Sequence, residues 1–185
     1  MWILTACLSA LFAGLTAVLA KAGVASTSST VATALRTVVV AAGAWGMAAL
    51  TGTASGIASI DGTSALFLML SGLATGASWL SYFAALSRGD VSRVAPIDKL
   101  STVLAIILAL VLLGEPVSLW SAGGIVAITA GTLLMVEPSD LSGLPRALRG
   151  GGSWLTFALA SALFAALTSI LGKVGISAVD PTLGT

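Results

Sequence analysis

Six stretches of about twenty apolar residues, each bounded by polar or turn-forming residues, constrain this chain more than any other feature. They run from Trp2 to about Lys21, from about Thr30 to Thr51, from about Thr63 to Leu86, from about Val94 to Leu113, from Val117 to Val136 and from Trp154 to about Lys173. A bilayer's hydrocarbon core is about 30 Å thick and takes roughly 20 apolar residues per crossing helix. No water is available there to satisfy exposed backbone groups, so a stretch of this length closes its hydrogen bonds internally, as a helix. The expectation is an all-α, polytopic membrane protein with about six transmembrane helices. Composition agrees: 57% of the residues are hydrophobic and 8% charged, where a soluble domain averages about 25% charged.

The connections "KAGVASTSS", "TGTASGIASIDG", "SRGDVSR" and "GEP" are short, and only "EPSDLSGLPRALRGGGS" has the length of a linker. A removed signal peptide is a poor reading of the first stretch. It has no basic n-region, carries no charge before Lys21, and exceeds the usual apolar length of about 7–15 residues. A formal net charge of +1 leaves no footprint for nucleic acid. With no histidine and the single Cys7, there is no Cys/His metal constellation and no internal disulfide. No cofactor is expected.

Residues 2–33 and 154–185 say nearly the same thing. At a constant offset of 152, Trp2 falls on Trp154, "SALFA" on "SALFA", Thr16 on Thr168, Lys21 on Lys173 and Gly23 on Gly175, and 14 of the 32 aligned positions are identical. Trp, Lys and Gly matching in one register indicate a duplication. Five helices separate the two starts, and an odd number forces the second copy to cross the membrane in the opposite direction. The pattern predicts an inverted-topology repeat, the architecture by which many secondary transporters alternate access. The organisation expected is a first five-helix unit over 1–136, a linker over 137–153, and the incomplete start of a second, inverted unit over 154–185. The second copy stops where its second helix should begin, so a missing C-terminal half or a homodimer is expected to complete the assembly.

The run "SRVAPIDKLSTVLAIILALVLLGEPVSLWSAGGIVAITAGTLLM", with "SALFAGLTAVLAKAG", "TALRTVVV" and "LSGLATGASWLSYFAAL" ahead of it, resembles an EamA-type unit of the drug/metabolite transporter superfamily. The resemblance implies a transporter built from two inverted five-helix halves, fused or assembled as a dimer. Its substrate would be a small molecule such as an amino acid, another metabolite or a drug. It also implies a multi-pass protein of the cell inner (plasma) membrane.

Ionisable groups at membrane depth are costly and face a cavity or a partner, so Lys21, Arg36, Asp98, Lys99 and Lys173 are singled out. Arg36, about two turns inside the second helix, either snorkels to the interface or lines a cavity and pairs with Asp98. Asp98 and Lys99 either suit a helix N-terminus and an interface or belong to a substrate path. Pro96 either occupies a first helical turn or breaks the helix, exposing backbone groups of the kind transporters use to bind substrate. Trp79 and Tyr82 are either interfacial anchors or part of that path. Gly72 and Gly76, four apart in "GLATG", together with Gly124 and Gly131, suit close helix packing. Gly114 suits a helix C-terminus, Pro116 the first turn of the next helix, and Glu115 a capping position.

Lys and Arg concentrate on the face holding the loops after helices one, three and five, which includes Lys21, Arg88, Arg93, Arg146 and Arg149. The positive-inside rule then puts the N-terminus outside. A membrane-embedded enzyme lacks a visible base for its Ser and Thr residues. A non-transporting accessory or structural membrane subunit is the competing reading. The sixth helix is expected to lack usual neighbours and to be poorly constrained.

Overall fold

The computed structural model describes residues 2–25, 27–53, 56, 60–135 and 153–177. Six α-helices account for nearly all of them: α1 (Trp2–Val24), α2 (Ser29–Thr51), α3 (Gly62–Arg88), α4 (Val91–Leu113), α5 (Leu119–Met135) and α6 (Trp154–Gly175). Five of these are long and apolar enough to cross a membrane, and α5 is a shorter apolar helix. The predicted linker, apart from Ser153, and the second copy beyond Ser177 lie outside the described residues.

Local chemistry explains where the helices begin and end. Ser28 caps α2, its hydroxyl accepting from Val31 N–H at 3.4 Å. The Asp61 carboxylate caps α3 by accepting from Thr63 and Ser64 N–H at 3.0 and 3.1 Å. Hydrogen bonding from Ser64, through its side chain first and then its backbone, and from Thr63 N–H holds the Asp61 carboxyl below the usual carboxylate range. Gly114 ends α4 at φ 66, a left-handed conformation that glycine adopts without a Cβ clash, as its sequence position suggests.

Other boundaries differ from the sequence pattern. The polar segment "SRGDVSR" is mostly helical, and α3 and α4 are joined by Gly89 and Asp90 alone. Arg88 extends α3 because its guanidinium folds back, donating to the Ala84 carbonyl at 2.8 Å and lying over the Phe157 ring at 4.5 Å. Consequently α4 starts at Val91, and Pro96 sits neither in a first turn nor at a break; the helix runs through it. Pro116 precedes α5 instead of occupying its first turn. The Ser118 hydroxyl accepts from Ser121 N–H at 3.0 Å and sets the start of α5 just after it. At 17 residues, α5 is only about 25 Å long.

The sixth helix corrects the expectation of a poorly constrained segment, since it is the most buried of the five long helices. Small residues are the reason. Ala158, Ala162 and Ala166 recur every four residues and are fully buried with Ser161, letting α6 lie close against α3 and α4, which supply its main contacts. Polar atoms stitch the α3–α6 seam. The Ser71 hydroxyl donates to the Thr168 carbonyl at 3.0 Å, Thr75 to the Thr168 hydroxyl at 3.3 Å, and Ser78 to the Ser161 carbonyl at 3.1 Å. At one end, Tyr82, Phe83, Leu86, Val94, Ile97 and Leu155 form an apolar cluster. Residues such as Phe12, Val38, Trp45 and Leu50 point outward and are more than half exposed, as a lipid-facing surface requires.

Close approaches at glycine fall elsewhere than at the four positions singled out. A Cβ added to Gly72, Gly76, Gly124 or Gly131 would meet nothing within 4 Å, whereas one on Gly89 would lie 2.9 Å from Trp154 and one on Gly175 2.9 Å from Leu68. The small-residue packing of this fold is done by Ala and Ser across α3 and α6.

Candidate functional site

A cavity of about 700 Å³ opens between α1, α2, α3, α4 and α6, within the size range of small-molecule sites. Each helix contributes for a local reason. In α2, the apolar Leu35, Val39 and Val40 form a wall from which Arg36 projects. In α3, Tyr82 lies four residues after Ser78 and three after Trp79, so it shares a helix face with each. In α4, Asp98 and Lys99 lie about two turns beyond the helix start. This is too far for the helix-terminal role considered for Asp98, because that field fades within the first turn.

The sequence-derived candidates therefore converge. Arg36, Trp79, Tyr82, Asp98 and Lys99 line one space, while Pro96 faces a different one. The Pro96 carbonyl accepts from the Thr132 hydroxyl of α5 at 3.2 Å, tying α4 to α5. Trp79 and Tyr82 face into the bundle. Their rings meet edge to face at 5.5 Å, Trp79 also packs on Phe83 at 5.5 Å, and Tyr82 is 8% exposed.

The electrostatic arrangement differs from a simple Arg36–Asp98 pair. The Arg36 Cζ lies 3.4 Å from the Trp79 ring centroid, a stacked cation–π contact that spreads charge over an aromatic face. Asp98 instead accepts from the Ser161 hydroxyl, Oγ to Oδ1 at 2.8 Å, and Ser161 is itself within 3.3 Å of the Ser78 hydroxyl. Ser78 and Ser161 thus form a polar shelf beneath the carboxylate. Sequence reasoning passed over Ser161, although it heads the repeated "SALFA". Its counterpart Ser9 is exposed on α1, and the cavity takes Thr16 and Ala13 from that copy instead.

The outlying charges are otherwise employed. Lys21 donates to the Leu86 and Gly89 carbonyls at 2.6 and 2.7 Å, satisfying free acceptors at the C-terminus of α3. Lys173, its counterpart in the second copy, pairs with Glu115 at 2.6 Å. Glu115 is therefore an ion-pair partner, not the helix cap its position suggested. This pair borders a second cavity, of about 370 Å³, at the opposite end of α4 and α6. Among the described residues, no group of three or more His, Cys, Asp or Glu side chains is placed to hold a metal.

Residues 1–137 match the EamA-like transporter family. The chain belongs to that family. It is 51% identical over 134 residues to a Sinorhizobium sp protein named "Uncharacterized transporter in cobO 3'region", a match covering 72% of this chain and 95% of the relative. No solved structure matches. The family makes the chain a multi-pass membrane transporter with a small-molecule substrate.

Proposed function

We propose that the chain carries a small solute across the inner (plasma) membrane by alternating access, through the cavity walled by Arg36, Trp79, Tyr82, Asp98 and Lys99. The observation that carries this reading is the convergence of three charged side chains from two helices in one space of about 700 Å³, at a depth where unpaired charge is costly. The opposed second cavity, of about 370 Å³, would be the mouth toward the other face. We take 1–136 as the transporting unit, joined through 137–153 to an inverted copy that begins at 154. Since 95% of a relative named a transporter is spanned by a single unit of this kind, a second copy of the chain, or the remainder of the repeat, can supply the inverted half.

Proteoliposomes holding the full chain, tested for flux of a pool of amino acids, other metabolites and cationic drugs, examine this directly. Arg36→Ala and Asp98→Ala should each abolish flux while insertion and helix content stay intact. Flux unchanged in both overturns the assignment of the cavity, and absence of flux for every solute favours the accessory-subunit reading.

A further inference from the structure

We infer that the solute held in this cavity is a small organic anion, a carboxylate-bearing metabolite, gripped by Arg36 and Lys99 with its body against Trp79 and Tyr82. The inference rests on the cavity being the solute path. Two cations and one carboxylate line the space, a net charge of +1, and they are not equally occupied. Asp98 already accepts a hydroxyl hydrogen bond from Ser161 at 2.8 Å, which lowers its demand for a cation. Arg36 engages only the Trp79 ring, at 3.4 Å. Stacking uses the face of a guanidinium and leaves the N–H groups along its edge directed outward in the plane, a fork that matches the two oxygens of a carboxylate. Arg36 donates no hydrogen bond and forms no salt bridge among the described residues; nor does Lys99, whose charge also acts on the neighbouring Asp98.

Apolar walls sharpen the preference. Leu35, Val39, Val40 and Ala165 line the same space, and low-dielectric walls focus the field of the charges between them. A cationic solute would meet two like charges and a single carboxylate that is already hydrogen-bonded. A phosphate dianion would carry more charge than the net +1 offsets and would crowd Asp98. A carboxylate on Arg36 and Lys99 meets two cations whose N–H groups donate no hydrogen bond among the described residues, and any ammonium on the same molecule can approach the remaining lone pairs of Asp98. The aromatic pair then gives the apolar part of the solute a face to lie on.

Intrinsic fluorescence of the full chain in liposomes, with Trp79→Phe as the reference that isolates the Trp79 contribution, reads the event. A ligand that binds the Arg36 edge changes the ring beneath it. L-glutamate, lactate and pyruvate should shift Trp79 emission at concentrations at least about tenfold lower than glucose or putrescine. Arg36→Gln should abolish the shift, and Lys99→Gln should weaken it several-fold. Putrescine binding as tightly as the anions, or an anion response that survives Arg36→Gln, overturns the inference about charge while leaving the cavity as the path. Trp79 emission unmoved by every probe, together with flux unchanged in Arg36→Ala, overturns both.

Discussion

Replacing Ser161 by alanine isolates the contact that joins the second copy to the cavity. Ser161 is fully buried, and its hydroxyl donates to Asp98 at 2.8 Å. Alanine differs by a single oxygen, so the α3–α6 seam loses almost no packing volume, and Ser78 keeps its bond to the Ser161 backbone carbonyl at 3.1 Å. What remains is one hydrogen bond to a charged acceptor, a class that contributes about 1.5–3 kcal/mol in water-soluble proteins. Side-chain hydrogen bonds within membranes average only about 0.6 kcal/mol and reach about 1.7. Asp98 also faces the cavity, where a water molecule can replace the lost donor. The two effects pull the charged-bond value down, and a coupling of about 1 kcal/mol is expected. The assay is a double-mutant cycle of Ser161→Ala and Asp98→Ala, unfolded by SDS in mixed micelles and followed by circular dichroism. Single effects that add to within about 0.3 kcal/mol, as those of independent sites do, would refute the interaction.

Other outcomes follow from the same contacts. Gly175→Ala should destabilise by about 1–3 kcal/mol, because its Cβ would lie 2.9 Å from the Leu68 side chain and 3.1 Å from the Leu68 backbone nitrogen. Gly76→Ala, with nothing within 4 Å, should be neutral or gain up to about 1 kcal/mol from helix propensity, and the same SDS titration compares them. Lys21→Met should cost about 1–2 kcal/mol and weaken amide protection at the end of α3, where Lys21 holds two carbonyls. The exposed Lys173–Glu115 pair should change stability by no more than about 1 kcal/mol when Glu115 becomes Gln. Asp61 has a depressed pKa, so its cap is complete above the ordinary carboxylate value and is lost as pH falls through the lower folded one. The protection of the Thr63 and Ser64 amides, their exchange rates referred to the intrinsic rate at each pH, should fall on acidification in the wild type and not in Asp61→Asn, which caps without titrating.

The crossing helices were readable because hydrocarbon thickness fixes apolar length, so five long helices and the shorter α5 appear close to where the runs were drawn. Their ends were less readable. Charged residues in "SRGDVSR" look like a loop, but Arg88 turns back onto its own helix and a ring of α6, so a tertiary contact extends a local element. The dense packing of α6 was hidden for a similar reason. Its Ala158, Ala162 and Ala166 stripe has meaning only once Ser71, Ala74 and Ser78 of α3 face it. Arg36 and Asp98 stood out because charge is rare in these helices. Ser161 and Ser78 did not, since serine at membrane depth is ordinary and only the fold brings this pair beneath a carboxylate.

The central claim is that one cavity open to solvent, walled by α1, α2, α3, α4 and α6, is the solute path. The most direct test is labelling of Ala165→Cys, in a Cys7→Ser background, by a membrane-impermeant thiol reagent. Ala165 lines the cavity, whereas Val38, 68% exposed on the outer face of α2, serves as a lipid-facing control through Val38→Cys. The account predicts rapid labelling of Ala165→Cys, slowed when the transported solute is present, and little labelling of Val38→Cys. Ala165→Cys refusing the reagent from both membrane faces while Arg36→Ala transports normally would contradict it.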